Sequence, residues 1–98
     1  QYKLVTEPGR PGKFALHSNY PNPFNPSTMI AFDVPKTSDI TLRIYNLNGR
    51  LVKEVKYDNL KAGYHKYHFN AAELSSGIYL YKLKADGFTQ VKKMTLVK

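Results

Sequence analysis

The chain has 98 residues, 42% of them apolar and 13% aromatic, with no cysteine and a formal charge of +8 from 15 Lys and Arg against 7 Asp and Glu. That length supports one domain, near the lower end of what buries a self-sufficient core. The composition excludes a disulfide framework, a cysteine zinc site and a thiol nucleophile, and no run reaches the roughly 18 to 20 apolar residues of a helical membrane span.

The opening segment, residues 1–13, contains Pro8, Gly9, Pro11 and Gly12 and reads as a linker with room for a short strand over residues 2–5. A start of this kind, without the pattern of a signal peptide, suggests a piece of a longer protein whose export signal, where there is one, lies elsewhere. The domain proper is expected over residues 14–98, beginning with a brief strand at residues 14–17.

Residues 19–28, NYPNPFNPST, follow. Pro21, Pro23 and Pro26 fix φ and remove backbone donors, so neither a helix nor a central strand can run through them. Tyr20, Asn22 and Asn25 each precede a proline and are driven toward extended geometry. Asn19 and its neighbouring asparagines can bond nearby backbone. A segment that cannot hydrogen-bond itself should lie against a sheet, and Tyr20 and Phe24 are the rings available to hold it there. It reads as a rigid lid over one end of a β-domain, with ligand binding as the alternative.

From here the pattern has a period of two. Residues 29–34 place Ile30, Phe32 and Val34 on one face, and residues 39–45 place Ile40, Leu42 and Ile44 on one face. The Asn48-Gly49 turn pairs that strand antiparallel with residues 51–57. Residues 64–69 put His65, Tyr67 and Phe69 opposite Tyr64, Lys66 and His68. Residues 70–74 form one helix-like turn, with Asn70 as cap and Glu73 as its reciprocal partner. Asp86-Gly87 then joins two last strands, residues 78–85 and 88–97. Tyr79, Tyr81, Leu83, Met94 and Leu96 face the core there, while Ile78, Leu80, Val91 and Val97 leave the other face partly apolar. Either the N-terminal segment covers that face or another molecule does.

About seven short strands with turn signals between them predict an all-β fold, an immunoglobulin-like antiparallel sandwich, with a barrel as the alternative. The chemistry expected of an enzyme is missing. Asp39, Asp58, Glu73 and Asp86 belong to turns, and the serines lack a strand-to-helix elbow. His65 and His68 fall on opposite faces of one strand, so they cannot share a metal ion unless a bulge intervenes. The lysines are scattered along strands, in two small groups: Lys82 with Lys84, and Lys92 with Lys93 and Lys98. They fit a solvated basic face, with contact to an anionic surface as the alternative. Tyr45, Tyr57 and Tyr64 could serve as stacking surfaces, but their spacing does not select nucleic acid over ordinary strand propensity.

Four blocks taken together, NYPNPFNPST (19–28), ITLRIYNLNGRLV (40–52), AGYHKYHFNAAELSSGIYLYKLKADGF (62–88) and KKMTLVK (92–98), resemble the type A C-terminal sorting domain of the type IX, or Por, secretion system. They are also similar to the immunoglobulin-like module of flagellar hook-capping proteins. The resemblance implies a non-catalytic module, without a cofactor, at the C-terminus of a secreted cargo of Bacteroidetes-type bacteria. Such a cargo reaches the periplasm by its own signal peptide and is recognised by the outer-membrane translocon. In many members a sorting peptidase removes the domain at its N-terminal side and the cargo is joined to anionic lipopolysaccharide at the cell surface. By that likeness Lys92, Lys93, Met94, Leu96, Val97 and Lys98 carry the recognition signal, and the linker before Phe14 holds any cleavage point. Two readings compete with export: an accessory module tethering a parent enzyme to polysaccharide or cell surface through Tyr45, Tyr57 and Tyr64, and a structural spacer.

Overall fold

Alternating burial along each long strand organises the molecule. The computed structural model describes residues 4–7 and 10–98, and among these the elements are all strands. They are β1 (Leu4–Glu7), β2 (Ala15–Leu16), β3 (Ser27–Val34), β4 (Ser38–Asn46), β5 (Leu51–Leu60), β6 (Gly63–Asn70), β7 (Gly77–Ala85) and β8 (Phe88–Leu96). One antiparallel sheet has the order β1-β6-β3-β2 and the other β5-β4-β7-β8. Two separate four-stranded sheets make this a sandwich rather than a barrel.

The expected inward residues form the core. Ile30, Phe32, Val34, Ile40, Leu42, Ile44, Tyr67, Phe69, Tyr79, Tyr81, Leu83, Met94 and Leu96 are all buried in one cluster. A strict period of two in β3, β4 and β6 accounts for this, since each sheet has one face against the other and one in solvent.

The turns follow their residues. Asn46 Oδ1 accepts from the N–H groups of Asn48 and Arg50, and Gly49 takes a φ of 82° that favours glycine. At residues 70–74 Ala72 N–H donates to Asn70 Oδ1 at 2.9 Å, as a cap should, and the chain turns once without becoming a helix. Glu73 stays exposed.

Three expectations need correction. The described N-terminal strand is Leu4–Glu7, which shares residues 4 and 5 with the expected one, and residues 2 and 3 lie outside the described ones. Its register, Leu4↔Tyr67 to Glu7↔Tyr64, places it beside β6 in the sheet opposite β7 and β8. It therefore does not cover the outer face of the last hairpin. Tyr20 is not an anchor: it is 80% exposed, because its backbone bridges Met29 and turns the ring outward. Tyr57 is not a surface aromatic. It sits opposite Ile40 and is buried in the core, since the strand alternation that brings Val55 inward carries it along.

Candidate functional site

The proline segment and the second half of β8 form one unit. The peptides Tyr20–Pro21, Asn22–Pro23 and Asn25–Pro26 are all cis. Of the rings in the segment, Phe24 is the one that enters the core, 2% exposed, where it meets Phe69 at 6.3 Å. Its backbone makes a parallel bridge to Leu96: Phe24 N–H donates to Thr95 O and Val97 N–H donates to Phe24 O, both at 2.9 Å. Asn22 adds a third link, its Oδ1 accepting from Thr95 N–H at 3.0 Å.

The segment's other end is fixed by side chains. Buried Asn19 donates from Nδ2 to Thr28 Oγ1 at 3.1 Å and to Pro21 O at 3.2 Å, and Thr28 Oγ1 donates to the same carbonyl at 2.9 Å. The Tyr81 hydroxyl accepts from Asn19 N–H and donates to His17 O. Burial pushes the Tyr81 phenol above its ordinary 10.0, and the Asn19 hydrogen bond works against that rise. Pro21, Asn22, Pro23 and Asn25 are exposed and Pro26 is half-buried. Pro26 O accepts from Ala71 N–H, so the segment also holds the turn after β6.

Residues 92–98 do not share one environment. Met94 and Leu96 are buried core residues. Lys92 lies opposite Tyr81 on the inward side and is half-buried, whereas Lys93, Val97 and Lys98 are exposed. Lys98 donates its backbone N–H to Ser76 Oγ at 3.0 Å and its ammonium to Ala72 O. The surface offered by this stretch is thus Lys93, Val97 and Lys98, with Met94 and Leu96 fixing its position.

Elsewhere, His65 is buried, its ring tilted against Phe32 at 5.5 Å, and bonds Lys61 O through Nε2 at 2.8 Å, while His68 is exposed on the other face. No group of three or more His, Cys, Asp or Glu among the described residues could hold a metal ion. Arg43 meets Glu54 at 2.7 Å on the outer face of β4 and β5. That hydrogen bond holds the Glu54 carboxyl below its usual 4.5 and raises Arg43. Tyr45 is on that outer face opposite Leu51 and Leu80, whereas Tyr64 is on the outer face of the other sheet opposite Asp33. The three tyrosines do not form one platform.

Sequence reasoning missed Tyr81 as the tie to the proline segment and Gln90 as a bridge between sheets, its Oε1 accepting from Leu16 N–H at 3.4 Å. A tyrosine in an inward row was the only signal, because a buried hydroxyl requires a partner.

Fold and site together define a small β-sandwich module whose closing feature is a terminal strand laced to a proline-rich segment. The chain belongs to the secretion system C-terminal sorting domain family, the type IX sorting domains, whose model matches residues 18–97. No curated protein matches the chain. No helix among the described residues is long and apolar enough to cross a membrane.

Proposed function

We propose that this domain is a non-catalytic signal, joined at its N-terminal side to a cargo, that directs the cargo from the periplasm across the outer membrane to the cell surface or medium. The observation that carries the reading is the family match over residues 18–97. The partners are the outer-membrane type IX translocon and its sorting peptidase. The recognition signal is residues 92–98, presented through Lys93, Val97 and Lys98 on a frame set by Met94 and Leu96. Cleavage falls in the linker, where Arg10, Gly12 and Lys13 are exposed ahead of β2. Attachment of the released cargo to the surface follows.

The test is export of a fluorescent protein that carries its own signal peptide and residues 1–98, in a bacterium with the type IX system. Truncation after Met94 is a poor control, because it removes buried Leu96 and the Phe24 bonds and so unfolds as well as unsigns. Val97→Ser with Lys98→Glu changes exposed groups instead. Surface fluorescence for the parent fusion and periplasmic retention for the double variant, with unchanged melting, is the expected result. Retention of the parent fusion would sink the sorting role. Export of the double variant at the parent level would sink the assignment to residues 97 and 98.

A further inference from the structure

β8 is the outer strand of its sheet, and its free side is only partly covered. Thr95 N–H donates to Asn22 and Thr95 O accepts from Phe24, so both groups point away from β7. The β7–β8 register is unbroken from Gly77↔Leu96 to Ala85↔Phe88, and in an antiparallel pair the bonding direction alternates residue by residue. The N–H and C=O of Lys93, Val91 and Thr89 therefore also point outward from the sheet. No main-chain bond among the described residues takes them up. The proline segment covers one end of the strand, and the Phe14–Phe88 ring stack at 5.6 Å covers the other. Between them lies a window of five residues, 89–93, about 17 Å long.

The side chains around this window have one sign. Val91 is 50% exposed and lies opposite Lys82, with Lys93 opposite Leu80 and Thr89 opposite Lys84. Lys82 and Lys93 are diagonal neighbours, roughly 7–8 Å apart. Lys82, Lys84 and Lys93 take no part in the pairs His17–Asp33, Arg43–Glu54 and Lys56–Glu54, and among the described residues they have no carboxylate partner. Glu54, the acid in the same row as Lys82, is held by Arg43.

We propose that residues 89–93 dock an extended acidic peptide segment as an added strand. Its main chain pairs with Thr89, Val91 and Lys93, and its outward carboxylates lie beside Lys93 and reach over Val91 toward Lys82. Charge decides the occupant. A second copy would bring its own three lysines and another +8 to the seam, and lysine on an edge is a common guard against self-pairing. An acidic strand turns the same lysines into attraction. The inference rests on the export reading only for which component supplies the strand.

Titration of the 15N-labelled 98-residue chain with a seven-residue peptide alternating Glu and Val tests it without export, so binding can fail while export succeeds, and the reverse. The expected result is at least tenfold slower exchange of the Thr89, Val91 and Lys93 amides. The Gln-for-Glu peptide should bind at least tenfold more weakly. Lys84→Glu with Lys93→Glu, both at exposed positions, should shift preference to a Lys-for-Glu peptide. The proposal is overturned by any of four results: no shifts at millimolar Glu peptide; shifts that leave those three amides unprotected; equal binding of the Glu and Gln peptides; or self-association of the free chain through the same amides. Amide protection in the unsubstituted chain stands as a test whatever the variant's stability.

Discussion

Tyr81 shows how one side chain joins parts of the chain that are 62 positions apart. Its ring is in the core, and its hydroxyl serves Asn19 N–H and His17 O at once. Tyr81→Phe keeps the ring but strands two main-chain groups, at a cost of about 1–3 kcal/mol, measurable by urea unfolding at pH 7. The pH dependence has a definite sign. Burial raises the folded-state pKa above 10.0, so the contribution is fully present below the unfolded value and is lost as pH rises through the folded one. The phenylalanine variant should lose stability less steeply than the parent above pH 10, and parallel slopes would contradict that. Alternation alone placed Tyr81 inward. Its partners were not legible, because no local rule links a strand tyrosine to a backbone amide so far away.

The proline segment and β8 were legible to different depths. Proline spacing correctly kept a regular strand out of residues 19–26, although β3 already begins at Ser27, directly after the last proline, and the lid reading fits the segment's contacts with β8 and the turn after β6. The rings were not equally legible, since Phe24 and Tyr20 look alike as anchors until backbone pairing sets their direction. Phe24→Ala should cost about 3–5 kcal/mol and speed amide exchange at Val97, whose N–H donates to Phe24 O. Tyr20→Ser should stay within about 0.5 kcal/mol. Equal effects from the two would mean that the exposed ring shares the anchoring. The candidate signal in residues 92–98 was visible as a block. Its division into buried Met94 and Leu96 and exposed Lys93 and Val97 also followed the period of two, whereas the exposure of Lys98, which lies beyond the end of β8, and the Phe24 and Asn22 bonds that pin the stretch did not.

At the scale of the whole molecule, the period of two and the turn residues were enough to predict the sandwich, because each sheet keeps one face dry. The order of strands within the sheets was not predictable from those signals, and this is why the N-terminal segment stood as one of two candidates to cover the last hairpin, whereas β1 lies beside β6. Leu96→Ala should cost about 2–5 kcal/mol, and for a domain of this size each kcal/mol lowers the melting temperature by about 4–8 °C. A melting curve unchanged by that substitution would show that the sandwich does not depend on its terminal strand.

The ladder between Phe24 and Leu96 also has a consequence in time. Joining positions some 70 residues apart costs about 4 kcal/mol of loop-closure entropy beyond a constant if made first. It should therefore form after the local hairpins β4–β5 and β7–β8, in a fold whose non-local pairing favours millisecond-to-second rates. Phe24→Ala should then accelerate unfolding and leave the folding rate nearly unchanged, which tyrosine fluorescence in stopped flow would resolve. A slower folding limb would place this closure early. With late closure, the lysine-bearing tail of β8 has an interval of exposure in every newly folding chain before Phe24 locks it down.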